Sequence, residues 1–586
     1  MAKNRNYPWY EIEKVSDLRN MIENSGSRFA TNPAFLFKKG GKLQSISYRE
    51  FKDGVFALGA GLLESGFGPG QSAALLSESR WEWGLCFLAV ACTNGTNVPL
   101  DKDLKAGDLR FILEETGAQV LFTSARYLDL ALELQTQLPC LQQVVCLDRV
   151  KPPENAAGGK FLSLADLTDA GARLLKQGRS RFTDLKIDPH VPVSIVYTSG
   201  TMGSAKGVVL SQHNIVSNMT DMCQAVYIDD KDLLLSVLPL NHTYESTCGL
   251  LTPLYRGSSV YYSENLRQVA NQMQEVRATV ILGVPLLFQA IYRKIMEGVR
   301  EKGTGKFKAA KAAASLSSAV LGNSARRFIF SAVHKKFGGR LRLLISGGAA
   351  SDPEVARLFR TLGIKFIQGY GLTECSPILA VNRPDFFKDD AAGYPLPSVR
   401  IRIAEDQEIC AQGPNIMSGY YQKPEATAEV VQDGWFYTGD LGYLDDDGFL
   451  HIHGRKKAVI VLSSGKNVYA EEVEACLNRS PFVLESLAWE GPEAPSGKVD
   501  EVHATIVPNR EEFDRHCKEK GLQLSDQLVE DVLKQEIRKQ CAVLPYYKRV
   551  RKFTIRWEEF DKTTSRKIKR YLYTEKVKRV GEKASN

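Results

Sequence analysis

The sequence predicts an α/β protein with a large N-terminal domain of parallel-rich sheets and a small C-terminal α+β domain. A chain of 586 residues is too long for one ordinary core, so two or more domains are expected. Residues 1–190 alternate helix-like and strand-like apolar segments, which favours a parallel sheet covered by helices. From about residue 393 to 453 the pattern changes to short strands and turns, which predicts a small β-rich subdomain.

Individual elements follow from the pattern of apolar residues. In helices they recur every three to four residues, and in strands they alternate with polar residues or form a short continuous run. The predicted helices are 48–66, 81–92, about 211–226, two within 293–337, and 528–540. The predicted strands include 73–76, 97–100, 120–122, 233–238, 279–282, 341–345 and 365–368. The last two strands run into glycine-rich segments. In an open α/β sheet, ligands bind at such segments, which follow the carboxyl ends of the strands.

One loop stands out by its composition. A buried β-branched run at 191–196 leads into YTSGTMGSAKGVV (197–209), which combines glycines, hydroxyl side chains and Lys206. Backbone N–H groups, hydroxyls and one lysine make a phosphate cradle. Because Gly207 follows Lys206 where the Walker pattern requires Ser or Thr, a Walker-type NTPase is disfavoured.

Composition narrows the class of protein. The hydrophobic fraction of 44% and charged fraction of 25% are typical of a soluble globular protein. The 11 cysteines are scattered without metal-ligand spacing, and no secretory leader or membrane-length apolar run is visible. We therefore expect a cytoplasmic protein with reduced thiols.

The net charge of +8 is unevenly placed. Residues 293–342 contain 13 Lys and Arg against 2 Asp and Glu, and residues 548–580 contain 13 against 4. Such basic segments favour polyanionic ligands or a peripheral position on the cytoplasmic face of an anionic membrane. No nucleic-acid partner is expected, since neither segment carries a recognisable binding motif.

Seven motifs then occur in order. They are YTSGTMGSAKG (197–207), LPLNHTYE (238–245), SGGAA (346–350), QGYGLTE (368–374), WFYTGD (435–440), GRKKAVIVLSSGKNVYAEEVE (454–474) and TTSRKIKR (563–570). Together they resemble the adenylate-forming, or AMP-binding, superfamily, and within it the long-chain fatty acid–CoA ligases. The resemblance covers nearly the whole chain.

The resemblance implies an architecture. Residues 1–456 would form stacked sheets with helices and a β-barrel-like subdomain at about 393–453. Residues 457–586 would form a mobile C-terminal domain that turns about a hinge at Lys457.

The resemblance also implies a reaction. ATP would activate a fatty acid, by family likeness a long-chain one, to an acyl-adenylate with release of pyrophosphate, and coenzyme A would then accept the acyl group. The catalytic group would be Lys567, with Thr373, Glu374 and His242, and Glu374 would also hold Mg²⁺. The residues implied for binding ATP are Thr198, Ser199, Gly200, Thr201, Gly203, Lys206, Gly347, Gly348, Gln368, Gly369, Tyr370, Gly371, Thr373, Asp440 and Arg455. The loop Gly465, Lys466 and Asn467 would serve the coenzyme A step.

Within this scheme Tyr370 would stack on adenine and Asp440 would accept hydrogen bonds from the ribose hydroxyls. The basic segment 293–342 would border the acyl tunnel and approach the membrane.

The chain departs from the family pattern at several positions. Met202 and Ala205 replace a threonine and a proline of the phosphate loop, while Ala458, Ala470 and Arg566 replace other usual residues. Two rival functions remain: a ligase that uses acyl carrier protein as the thiol acceptor, and a non-catalytic acyl or nucleotide binder.

Overall fold

The computed structural model describes residues 8–151, 159–178, 181–198, 205–263, 265, 268–491, 501–562, 568–570 and 572–573. It divides into two compact units. The first comprises Met1–Ile401, Ala411–Phe436 and Asp445–Leu450. The second comprises Arg402–Cys410, Tyr437–Leu444 and His451–Asn586. The predicted boundary at 456/457 stays a prediction.

The strands alternate with helices along most of the chain. The strands are β1 Pro33–Lys39, β2 Lys42–Ser47, β3 Ser72–Leu76, β4 Thr96–Pro99, β5 Val120–Thr123, β6 Gln143–Cys146, β7 Lys160–Ser163, β8 Pro192–Tyr197, β9 Gly207–Ser211, β10 Leu233–Ser236, β11 Ser259–Tyr262, β12 Val280–Gly283, β13 Leu343–Ser346, β14 Lys365–Gly371, β15 Ile378–Val381, β16 Tyr394–Pro395, β17 Arg400–Ile403, β18 Glu408–Gln412, β19 Gly419–Tyr420, β20 Val431–Gln432, β21 Trp435–Leu444, β22 Leu450–Arg455, β23 Val459–Val461, β24 Asn467–Tyr469, β25 Val483–Glu490, β26 Val502–Pro508 and β27 Val550–Ile555.

The helices of the first unit are α1 Leu18–Arg28, α2 Tyr48–Glu64, α3 Trp81–Ala91, α4 Ala106–Thr116, α5 Leu128–Gln137, α6 Leu164–Lys176, α7 Arg181–Asp184, α8 Gln212–Ala225, α9 Thr243–Glu245, α10 Thr252–Arg256, α11 Val269–Val276, α12 Pro285–Lys302, α13 Thr304–Leu321, α14 Asn323–Ile329, α15 Ser331–Lys336, α16 Pro353–Thr361 and α17 Pro424–Val430. Those of the second unit are α18 Ala470–Leu477, α19 Arg510–Lys520 and α20 Asp526–Gln540.

Two large sheets organise the first unit. One has nine strands in the order β16-β15-β14-β13-β12-β10-β11-β1-β2, and the other has eight in the order β19-β9-β8-β4-β3-β5-β6-β7. One buried core contains side chains from both sheets together with α2, α3 and α8. Alternate residues of the strands face the outer helices, as when Leu234 joins this core while Leu233 and Leu235 join another. The predicted α/β class with stacked, parallel-rich sheets is confirmed.

The centre of the nine-stranded sheet is parallel. Strands β10, β12, β13 and β14 pair in parallel register, for example Leu344 with Phe366. Their carboxyl ends therefore lie along one edge, which brings together the segments that follow β13 and β14. The predicted SGGAA and QGYGLTE motifs both occur there.

Two element predictions were wrong in detail. Strand β14 continues through Gly371, beyond its predicted end at 368, because Gly369 and Tyr370 pair antiparallel with β15. Segment 293–337 contains parts of four helices, α12 to α15, where two were predicted, since breaks occur at Gly303, Gly322 and Phe330.

The second unit has a core of its own. Strands β25, β26 and β27 form a sheet in that order, and α18, α19 and α20 contribute side chains to its core. Parts of β17, β18, β21 and β22 also belong to this unit, with β18 beside β21 and β22 paired to β21. None of the helices in the described ranges has both the length and the apolar character that a membrane span requires.

Candidate active site

The phosphate loop connects two paired strands of the first unit. Strands β8 and β9 are antiparallel, and beyond their ladder the Thr198 amide donates to the Lys206 carbonyl at 3.1 Å. The sheet therefore holds both ends of the loop. The predicted residues Ser199, Gly200, Thr201 and Gly203, and the altered Met202, lie outside the described residues.

Tyr420 connects this loop to the QGYGLTE segment. The Lys206 ammonium lies 4.6 Å from the centroid of the Tyr420 ring, and the Tyr420 hydroxyl donates to Glu374 Oε1 at 2.9 Å. A lysine over an aromatic face is held by the ring quadrupole while its N–H donors stay available to an anion. Tyr420 was not predicted as a site residue.

The position of Tyr420 is set by a short antiparallel pairing. Strand β19 pairs with β9, placing Tyr420 opposite Val208 and Gly419 opposite Val209. The Tyr421 amide donates to the Gly207 carbonyl at 2.7 Å, and Lys423 Nζ donates to the Ala205 carbonyl at 2.7 Å. Lys423 thus restrains the loop at Ala205, the position that lacks the family's usual proline.

The backbone of Glu374 is held by a hydrogen bond, whereas its carboxylate forms no ion pair among the described residues. Its carbonyl accepts from the Met417 amide at 2.8 Å, and it lies with Thr373 in a short 3₁₀ turn directly after β14. Within the described ranges no Lys or Arg comes into ion-pair distance of the half-buried carboxylate. The site therefore keeps a negative charge for a cation.

The residues before Glu374, at the end of β14, are held in place by their neighbours. Gln368 is anchored through its side chain, which donates to the Ala391 carbonyl and accepts from the Ser351 amide. Gly371 is obligatory, since a Cβ there would meet the Pro377 carbonyl oxygen at 1.8 Å. Between them Gly369 and Tyr370 lie in the strand, and the Tyr370 ring is half-buried against the main core.

The SGGAA segment lies beside the LPLNHTYE segment. Gly347 donates its amide to the Gly283 carbonyl at 3.1 Å, and a Cβ on Gly347 would lie 2.8 Å from the Tyr244 ring. Gly348 adopts φ +85°, in the left-handed region, and is exposed. Tyr244, a residue not singled out from the sequence, therefore fixes the close approach of this glycine turn.

His242 begins a short buried turn. Its carbonyl accepts from the Glu245 and Ser246 amides at 3.0 and 2.9 Å, and a π-helical turn, Ser246–Leu251, follows. Glu245 itself is 0% exposed and accepts a hydrogen bond from the Ser236 hydroxyl. Among the described residues its Oε2 has no hydrogen-bond partner. Burial raises the pKa of Glu245 to about 8, although the Ser236 hydrogen bond opposes the shift.

The second unit brings two predicted residues together. Arg455 Nε lies 2.9 Å from Asp440 Oδ1, and its Nη1 donates to the Thr438 carbonyl at 3.1 Å. The Asp440 side chain is 8% exposed, whereas that of Arg455 is 46% exposed. Asp440 lies within β21, and its ion pair with Arg455 orients the guanidinium.

The neighbouring residues Lys456 and Lys457 differ in their ion pairing. Lys456 pairs with Asp406 at 2.5 Å and Glu408 at 2.8 Å, and Glu408 in turn accepts from the Gly439 amide at 2.8 Å. Lys457 is exposed, and in the described part of the chain no carboxylate pairs with it. Both lie in a 3₁₀ turn between β22 and β23.

Tyr469, the last residue of β24, contacts residues that precede the Lys456–Ala458 turn. Its ring stacks on His453 with centroids 5.0 Å apart, and its hydroxyl donates to Gln407 Oε1 at 3.4 Å.

Gly465 and Lys466 lie in the turn between β23 and β24, Asn467 begins β24, and all three residues are exposed. Gly465 has φ +75°, and Lys466 Nζ lies 4.6 Å from the Tyr547 ring centroid. Lys567, the predicted catalytic lysine, lies outside the described residues.

Comparison with known protein families matches residues 22–421 to the family described as AMP-binding enzyme. The chain belongs to this family. It is accordingly an adenylate-forming enzyme of the acid–CoA ligase group, as its motifs predicted.

Curated relatives align over most of their length. The long-chain-fatty-acid–CoA ligase FadD15 of Mycobacterium bovis is 27% identical over 566 residues, covering 91% of this chain and 90% of the relative. Long chain acyl-CoA synthetase 1 of Arabidopsis thaliana is 30% identical over 520 residues, covering 83% and 77%. The crystal structure of the anthranilate CoA ligase AuaEII with anthranoyl-AMP shares the fold, with a TM-score of 0.75 at 19% identity over 97% of this chain and 99% of that one.

The buried Glu245 predicts a pH-dependent stability. Its folded pKa of about 8 exceeds the ordinary value of 4.5, so its protonated form stabilises the fold below about pH 4.5 and this contribution is lost as the pH rises through about 8. Glu245→Gln stays neutral, and its stability relative to the wild type should therefore rise over this window, by about 5 kcal/mol at most. Apparent thermal midpoints measured across the window test this. The exposed Glu64→Gln should show no such trend, and parallel profiles for Glu245→Gln and wild type would contradict the assignment.

Proposed function

We propose that this enzyme converts a long-chain fatty acid to its acyl-CoA thioester in two steps. In the first, an oxygen of the fatty carboxylate attacks the α-phosphorus of ATP, and the bond to the β-phosphate oxygen breaks to release pyrophosphate. In the second, the coenzyme A thiol loses its proton and attacks the acyl carbonyl, and AMP leaves. The relatives named for long-chain fatty acids support this choice of acid.

The Lys206–Tyr420–Glu374 arrangement carries the proposal for the first step. It positions one cation and one carboxylate beside a loop that has the composition of a phosphate cradle. Lys206 would bind phosphate oxygens and stabilise charge on the departing pyrophosphate. Tyr370, Gly347 and Gly348 are proposed to bind adenine, and His242 to line the acyl side of the site.

Glu374 fits a role in holding Mg²⁺. Magnesium in nucleotide sites is bound by one or two carboxylates together with substrate phosphates, and not by a dedicated cage of protein ligands. Glu374 has the required unpaired carboxylate, and no cluster of three His, Cys, Asp or Glu that could hold a metal occurs in the described residues. When bound, Mg²⁺ would supply positive charge to the phosphates.

In the second unit, Asp440 is proposed to accept from the ribose hydroxyls, and Arg455 to bind ribose or phosphate. The ion pair between them supports this, because it fixes the guanidinium while the Arg455 side chain stays 46% exposed. Lys567 is proposed to bridge the carboxylate and the α-phosphate in the first step. The exposed turn at Gly465, Lys466 and Asn467 is proposed to serve the second step after a rotation at Lys457.

We also propose a peripheral membrane contact through α13 and α14. Lys306, Lys308 and Lys311 are exposed on α13, and Leu316 and Phe328 are 77% and 82% exposed nearby in sequence. Cations with exposed large apolar residues are the composition of interfacial helices.

The reaction is tested by a pyrophosphate-release screen. Acids from short to very long are supplied with ATP and either coenzyme A or acyl carrier protein. We expect release to be greatest with long-chain acids, because their tails bury the most apolar surface, and thioester to form with coenzyme A. Greater turnover of short or aromatic acids would refute the substrate, thioester on carrier protein alone would refute the acceptor, and no release with any acid would favour a non-catalytic binder.

Lys567→Ala separates the two half-reactions. Removing the ammonium should reduce adenylation by about a hundredfold or more, since a charge that acts in the transition state is lost. Thioester formation from supplied acyl-adenylate should largely remain. Lys569→Ala, at a half-buried lysine two residues away, is the neighbouring control. Equal loss of both steps in Lys567→Ala would contradict the role.

The membrane contact is tested by cosedimentation with vesicles that contain anionic phospholipid. Replacing Lys306, Lys308 and Lys311 by Gln should weaken binding by about a hundredfold, since each lysine near such a surface contributes about 1 kcal/mol. The same change at exposed Lys39, Lys42 and Lys105 removes equal charge and should have little effect. Equal binding by both triple variants would exclude α13 as the contact.

A further inference from the structure

A basic cavity lies at the amino ends of the parallel strands of the nine-stranded sheet, opposite the SGGAA and QGYGLTE segments at their carboxyl ends. It has a volume of about 520 Å³ and is lined by residues that directly precede β10, β12 and β13, namely Asp232, Thr279 and Arg342. Because these strands are parallel, their amino ends form this edge and their carboxyl ends form the other. Strands of four residues separate the two edges by roughly 13 Å.

Arg342 and Asp232 form an ion pair in the lining of the cavity, and their charges balance each other. Arg342 donates through Nε to Asp232 Oδ1 at 2.8 Å and through Nη2 to the second oxygen of the same carboxylate. Thr279 Oγ1 also donates to Asp232 Oδ1, at 2.7 Å. The Asp232 side chain is only 3% exposed, and its negative charge is balanced by the paired Arg342 guanidinium.

Three further cations line the cavity without such compensation. Among the residues that the structure describes, Arg327 donates to the Leu341 and Gly339 carbonyls, at 2.8 and 3.0 Å, and Arg340 donates to the Lys231 carbonyl at 2.9 Å. Over the described ranges, no carboxylate lies within ion-pair distance of Arg327, Arg340 or Lys231. Burial lowers the pKa of Arg327, as expected for a guanidinium withdrawn from water without a counter-charge.

One other carboxylate lines the cavity. Asp229 accepts from the Lys231 amide at 3.1 Å and from the Tyr227 hydroxyl at 3.2 Å. With Asp232 already paired, one carboxylate faces three cations, and the lining keeps a net positive charge.

We propose that this cavity binds a phosphomonoester, as a second anion site independent of the ATP site. Guanidinium groups match the geometry of phosphate oxygens through paired N–H donors. The volume exceeds that of a phosphate ion and lies in the usual range for small-molecule pockets, so the ligand carries an organic part. That part is either a small soluble molecule or the glycerol backbone of an anionic lipid.

The test uses glycerol 3-phosphate in isothermal titration and vesicles of phosphatidylcholine with phosphatidic acid in cosedimentation. The double variant Lys231→Gln/Arg340→Gln removes two exposed cations of the cavity. The matched control, Lys335→Gln/Lys336→Gln, removes two exposed cations of α15 that do not line it. Arg327→Lys keeps the charge but removes the paired donors. Thermal midpoints show that each variant is folded.

The cavity double variant should bind glycerol 3-phosphate about tenfold or more weakly than wild type, since charge-assisted hydrogen bonds are lost, and the control should bind as wild type does. Arg327→Lys should weaken binding without a change in net charge. If the double variant also loses vesicle binding that the control keeps, the ligand is a lipid headgroup; retained vesicle binding identifies a soluble phosphomonoester. Absence of binding to the wild type, or equal binding by both double variants, would overturn the proposal. Lys206→Ala should leave this binding unchanged.

Discussion

The contact of Tyr420 with Lys206 and Glu374 is the constraint around which the first unit's site is arranged. Lys206 ends a loop between β8 and β9, whereas Glu374 follows β14 in the other large sheet. Tyr420 lies beside both, because its strand adds to the edge of β9. A ring that accepts a cation on its face and donates from its hydroxyl relates two opposite charges without letting them neutralise each other. Both charges therefore stay available to a substrate.

Much of the fold could be predicted because apolar runs of strand length, separated by amphipathic helices, leave few alternatives to a parallel sheet. Strand ends were less predictable. The segment after residue 368 looked like a glycine-rich loop, yet Gly369 and Tyr370 extend β14 because β15 supplies them with hydrogen-bond partners from elsewhere in the chain. Long-range pairing of this kind leaves no trace in a local pattern.

The same limit applies to the site. Lys206, Glu374, Asp440 and Arg455 could be predicted from motifs, but not the side chains that hold them. Tyr420 lies in no motif, and the Asp440–Arg455 ion pair depends on the pairing of β22 with β21. The burial of Glu245 was likewise invisible, since a glutamate in a short polar segment is usually exposed. The basic charges of segment 293–342 also lie in different environments. The lysines of α13 are exposed, while Arg327, Arg340 and Arg342 line a cavity.

Tyr469 has a consequence for any rotation at Lys457. Its ring stacks on His453 and its hydroxyl reaches Gln407, and both partners precede Lys457 while Tyr469 follows it. The proposed rotation at Lys457 would therefore have to break both contacts, which would act as a latch against it. An aromatic stack and one long hydrogen bond are together worth about 1 to 2 kcal/mol. If the chain turns at Lys457 as proposed, contacts of this strength would favour the orientation described here and would still be weak enough to break, so they would set the population of the second orientation before substrate arrives.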